Sequence, residues 1–191
     1  DRPRSSGSGA EEGSGRPGYY RKSFALIVGV NEYRSWPRLR YAVNDATAVE
    51  STLVERFGFP RENVIRLVDG DATRERIVEV LGGTLADPGR VGPDDRVLVF
   101  FAGHGATRKL PSGKELGYII PVDAELQGYP VRSISMTELK DFSELIPAKH
   151  VYFVMDSCYS GLALTRGGGG SYLQEVTDRR ARQILTAGGA D

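Results

Sequence analysis

A single cysteine in 191 residues leaves this chain unable to close an internal disulfide. The framework has to come from packing, and so few thiols fit a reducing, cytoplasmic setting. Net charge is missing too: 25 Lys and Arg stand against 25 Asp and Glu. With no overall field to recruit them, neither nucleic acid nor an anionic membrane is expected as a partner. No apolar run approaches the roughly 18 residues of a membrane span. Histidine is scarce, at two residues. The first residue is Asp1 and not Met, which reads as a processed product or an excised fragment. What is present is ordinary globular composition, 40% hydrophobic and 26% charged, enough for one domain with a sizeable core.

Residues 1–22 are rich in Gly, Ser, Pro and charge, the composition of a flexible linker or tail. The domain is expected over 23–191. It opens on "SFALIVGV", a continuous apolar run of the kind a strand buried on both faces requires. In "YAVNDATAVESTLVERFGF", Ala46, Val49, Leu53 and Phe57 recur at helical spacing, with Gly58 as the stop. The alternation continues: "NVIRLVD" as a strand, "ATRERIVEVLGG" as a helix capped by Thr73, and "DRVLVFFAGHG" as a buried strand. An irregular stretch from Ala106 to Val131 follows, then a helix in "SMTELKDFSELI" and strands in "HVYFVMDS" and "RQILTAGG". Repeated strand-helix-strand units imply an α/β fold, a mostly parallel sheet with helices on both faces.

Ligands and catalytic groups of such sheets gather at the carboxyl ends of the strands. His104, between Gly103 and Gly105, and Cys158, in "VMDSCYSG", both fall at that edge. Taken alone, His104 reads as a hydrogen-bonded loop histidine or as a base, and its flanking glycines favour close approach of a ligand to the backbone. Cys158 reads as a small core residue or as a nucleophile, and small polar neighbours past the apolar part of the strand favour the second. His150 begins the Cys158 strand, roughly 26 Å from the thiol at about 3.3 Å per residue, too far to act as its base.

The pairing of "FFAGHG" with "FVMDSCYSG", His preceding Cys by about 50 residues, resembles the caspase and metacaspase superfamily of cysteine proteases. The likeness runs through "FALIVGVNEY", "LRYAVNDATAVESTLVERFGF", "GYIIPVDA" and "ILTAGGA". It implies a three-layer caspase-like fold and a cysteine endopeptidase with His104 as general base and acid and Cys158 as nucleophile. The backbone N–H groups of Gly105 and Cys158 would form the oxyanion hole. "DSCYSG" resembles the metacaspase and orthocaspase version, and Asp45 and Asp156 match acids that line its first pocket. A carboxylate pair favours a guanidinium or ammonium, so cleavage after Arg or Lys is expected.

Calcium-dependent relatives carry an acidic cluster after the histidine. Here Arg108, Lys109 and Lys114 occupy that stretch and Asp123 is isolated, so neither metal nor cofactor is expected. The resemblance also implies that a small-subunit segment with the last strand follows this large-subunit portion. Arg166, ahead of "GGGG", is the preferred self-cleavage position, with Arg179, Arg180 and Arg182 as alternatives. A catalytically silent interaction module and an Asp-directed protease are the competing readings. A dinucleotide binder is not supported, because "IVGVNEY" lacks Gly-x-Gly-x-x-Gly.

Overall fold

The computed structural model describes residues 19–157 and 181–187. Its centre is a five-stranded, all-parallel sheet in the order β2-β1-β3-β7-β8. The strands are β1 (Ser23–Gly29), β2 (Val64–Val68), β3 (Arg96–Ala102), β7 (His150–Asp156) and β8 (Ala181–Ala187). Strand β1 is buried at every position, which is why its sequence is an unbroken apolar run and not an alternation.

The strand period of two divides these side chains between two cores. Phe24, Leu26 and Val28 join Val97, Val99 and Phe101 and then Val151, Phe153 and Met155 on one face. This face is covered by Ile77 of helix α2 (Arg74–Glu79), by Val80, Leu81 and Leu85 just beyond it, and by Leu139 of a later helix. Ala25, Ile27, Phe100 and Ala102 face the other way, against Ala42, Ala46 and Leu53 of helix α1 (Ala42–Phe57). Phe24, Phe101 and Phe153 are fully buried, each contributing about 1.5–3 kcal/mol by leaving water.

Local chemistry ends the helices where the sequence indicates. Gly58 takes a left-handed φ of 68° and its N–H bonds the Leu53 carbonyl, closing α1. The Thr73 side chain accepts the Arg76 N–H and starts α2. Helix α2 is shorter than its apolar pattern suggests, because its last turn widens over Val80–Thr84, with the Leu85 N–H reaching back to the Val80 carbonyl at 2.8 Å. The widened turn holds Gly82, against which Phe142 packs.

The stretch expected to be irregular is instead ordered. Strands β4 (Gly105–Lys109) and β5 (Glu115–Ile119) form an antiparallel hairpin, and the two-residue β6 (Ile134–Ser135) joins β5 in a second sheet. Gly113 at φ 84° permits the turn, and the Leu110 N–H bonds the Lys114 carbonyl at 2.7 Å across it. Strand β4 reads Gly-Ala-Thr-Arg-Lys, without an aliphatic alternation, because it is at most half-buried. A short turn, α3 (Tyr129–Arg132), then leads to helix α4 (Met136–Leu145), capped by the Ser135 side chain on the Glu138 N–H.

At the amino ends of the strands, Arg96 ties three parts together. Its guanidinium donates to Ser23 Oγ at 2.8 Å and to the Phe57 carbonyl at 2.5 Å, and lies over the Tyr20 and Phe59 rings. Desolvation holds its pKa below the usual value, with the Tyr20 phenol pulling the opposite way.

Candidate active site

Parallel register brings the carboxyl ends of three strands to one level: Gly29 pairs with Ala102, and Ala102 with Asp156. The Gly103 N–H extends this pairing by one step, bonding the Asp156 carbonyl at 3.2 Å. His104 follows, half-buried, at the seam between the parallel sheet and the hairpin.

The imidazole is held on several sides. Its Nε2 lies 2.8 Å from the Pro37 carbonyl oxygen. A carbonyl can only accept, so Nε2 carries a proton, and in the neutral ring the lone pair is the one on Nδ1. The Tyr33 ring lies 4.8 Å from the imidazole and that of Trp36 5.5 Å, centroid to centroid. The Tyr33 hydroxyl also accepts the His104 backbone N–H at 2.7 Å. Gly103 is glycine for packing: a Cβ there would strike the Tyr33 hydroxyl and come within 2.9 Å of Phe101. The space is filled by the protein's own side chains, whereas the sequence had suggested room for a ligand beside the backbone.

Tyr33, Trp36 and Pro37 lie in the connection from β1 to α1, and none stood out in the sequence. The only signal was an aromatic-rich loop, "NEYRSWP". Its shape is fixed from outside. Asp69, after β2, accepts the N–H groups of Asn31 at 2.7 Å and Glu32 at 2.9 Å. The Arg34 N–H bonds the Val122 carbonyl, the Leu39 N–H bonds the Asn31 carbonyl, and Glu32 pairs with Arg38. Among the described residues Asp69 is the one non-glycine at positive φ, 44°. That strained conformation is offset by the two bonds to its carboxylate.

Gly105 opens β4 opposite Ile119. The Ile120 N–H bonds the His104 carbonyl at 3.0 Å, which makes Gly105–Ile119 a non-hydrogen-bonded pair of the ladder. The Gly105 N–H therefore points away from β5 and is not taken by its partner strand.

Asp45 sits half-buried in the first turn of α1 and Asp156 is exposed at the end of β7. Both are at the carboxyl edge, and neither takes part in an ion pair among the described residues. Strands β1 and β7 flank β3, placing their ends roughly 10 Å apart at about 4.8 Å per strand. Cys158 and Arg166, like Arg179 and Arg180, lie outside the described residues. Arg182 lies within β8, where its guanidinium donates to the Ser143, Ile146, Ala148 and Lys149 carbonyls. His150 is at the opposite edge, its Nδ1 at 2.7 Å from the Tyr20 hydroxyl.

Asp123 accepts the Arg74 N–H at 2.9 Å and lies 3.9 Å from Arg132. No group of three or more His, Cys, Asp or Glu among the described residues is arranged to hold a metal ion. No helix among them is long and apolar enough to cross a membrane.

A family profile described as "Caspase domain" matches residues 22–186. The chain is 30% identical over 174 residues to Metacaspase-1B of Aspergillus fumigatus, covering 80% of this chain and 40% of that protein. It is 31% identical over 148 residues to Metacaspase-6 of Arabidopsis thaliana, covering 72% and 38%. The chain thus spans about 40% of the length of such relatives. The fold is shared with a crystal structure of a Geobacter sulfurreducens protein, with a TM-score of 0.58 and 23% identity over 74% of this chain and 52% of that one.

Proposed function

Since the chain belongs to the caspase-domain family, we propose that it is the catalytic part of a cysteine endopeptidase in which His104 and Cys158 act as a dyad on peptide bonds that follow Arg or Lys. The observation that carries this reading is the orientation of His104: Pro37 holds Nε2–H and leaves Nδ1 as the base. The register supports the partner, since His104 stands two residues beyond Ala102 and Cys158 two beyond Asp156, its paired residue on the neighbouring strand.

In the proposed reaction, His104 Nδ1 takes the thiol proton and the thiolate attacks the scissile carbonyl carbon. The oxyanion is met by the N–H groups of Gly105 and Cys158. Collapse breaks the C–N bond, and the imidazolium protonates the departing amine. Water, deprotonated by His104, then cleaves the thioester and the proton returns to sulfur. Asp45 and Asp156 supply the negative charge for the basic side chain before the scissile bond. The chemistry needs no metal, and a following small-subunit segment completes the substrate cleft.

The test is turnover of reporter peptides ending in Arg, Lys or Asp by the full-length protein, with and without a calcium chelator. Cys158→Ala and His104→Ala are each expected to abolish turnover, by at least a thousandfold. Retained activity in Cys158→Ala rules out the dyad. Preference for Asp rules out the acidic pocket, and loss of activity on chelation rules out the metal-free reading.

A further inference from the structure

We infer that Tyr33 is a positioning residue for the base, fixing both the backbone and the ring of His104 so that the ring keeps one tautomer and one orientation. The inference rests on the proposed dyad and goes beyond it. A carbonyl at one ring nitrogen constrains an imidazole at one point only. Rotation about the side-chain bonds can still swing Nδ1 away unless the ring faces and the peptide are held as well.

Tyr33 supplies both holds. Its hydroxyl accepts the His104 N–H at 2.7 Å, pinning the peptide from which the side chain springs. Its ring lies against the imidazole at 4.8 Å and a 50° interplanar angle, with Trp36 tilted at 39° alongside. The seat for Tyr33 is built into the fold. Gly103 leaves the space the hydroxyl occupies, and the ring packs into the main core and into the smaller cluster formed by Tyr118, Ile120 and Ala124. Asp69 holds Asn31 and Glu32, immediately before Tyr33, and the Val122 carbonyl holds Arg34, immediately after it. The tyrosine is thereby fixed from both sides in sequence, and its contacts to His104 transmit that rigidity to the base.

A residue with this role acts on the chemical step and not on substrate affinity. In the full-length protein, Tyr33→Phe is expected to lower kcat about tenfold with KM within twofold. Tyr33→Leu, which loses ring and hydroxyl together, is expected to lower it about a hundredfold. The second readout is independent of activity. The imidazole nitrogen signals of His104 are assigned as those lost in His104→Gln. They should report a single Nε2–H tautomer when Tyr33 is present and a mixture of tautomers in Tyr33→Phe.

Wild-type kcat and an unchanged tautomer signal in Tyr33→Phe overturn the inference, and so does a lowered melting temperature with both readouts unmoved. Should His104→Ala keep its turnover, the dyad fails, and the nitrogen signals alone still decide whether Tyr33 fixes the ring. Should Tyr33→Leu fail to fold, Tyr33→Phe decides.

Discussion

Gly29 is defined by the side chain it does not have. A Cβ at this position would stand 2.7 Å from both the Ala42 carbonyl oxygen and the Ala46 Cβ, so α1 crosses β1 in contact with its backbone. Gly29→Ala is expected to destabilise the fold by about 1–3 kcal/mol, read from the midpoint of a urea titration at unchanged slope. Asp69 represents the opposite case, a side chain kept at a strained φ for the sake of its two acceptor bonds. Asp69→Ala should cost about 2 kcal/mol in the same measurement and lower kcat as well, because the loop that carries Tyr33 and Pro37 loses its outer anchor. Under the proposed basic specificity, Asp45→Asn and Asp156→Asn are each expected to lower kcat/KM for Arg peptides at least tenfold, roughly the 1.4 kcal/mol that one charge-assisted bond contributes. Peptide series with Arg and its uncharged isostere citrulline check this, since the loss should vanish for citrulline.

At the scale of elements, what could be read from the sequence follows from how much of each element's environment is local. Strand β1 was legible because burial on both faces demands an apolar run, and β3 and β7 because one face is buried and the other at least half-buried over most of their length. Helix ends were legible because Gly58 and Thr73 act within a few residues of themselves. Thr73→Ala should therefore remove about 1 kcal/mol in thermal or urea unfolding without touching the site. The β4–β5 hairpin escaped detection because Ala106 and Leu116 are only partly buried against a small cluster, and half-wet strands carry little pattern. The setting of His104 escaped for a different reason. Its flanking glycines marked the position, but Tyr33, Trp36 and Pro37 reach it from some 70 residues away in sequence, through a crossing that no local periodicity encodes. Cys158 reads as a nucleophile from its neighbours and lies outside the described residues.

At the scale of the whole molecule, the two faces of the sheet are unequally covered. Val151, Phe153 and Met155 of β7 are fully buried, whereas Tyr152 and Val154 on the α1 side are half-buried and Leu185 of β8 is 52% exposed. Among the described residues β8 is also the outer strand of the sheet. An exposed leucine on an outer strand favours association through that edge. Leu185→Lys should accordingly reduce concentration-dependent association of this chain, measured by light scattering across a dilution series. The covered face responds differently: Phe153→Ala should cost about 3–5 kcal/mol and lower the melting temperature of the whole domain, since Phe153 belongs to the cluster that joins the sheet to α2 and α4.

The common level of Gly29, Ala102 and Asp156 has one more consequence. Side chains alternate faces with a period of two, so a slip of β7 by one residue past β3 would move every group beyond Asp156 by about 3.3 Å and turn it to the opposite side. Most exchanges of one side chain for another leave that phase intact. A single codon gained or lost between His150 and Asp156 does not, and this fold can lose the alignment of its chemistry to a frame-preserving indel far more readily than to a point change in the same strand.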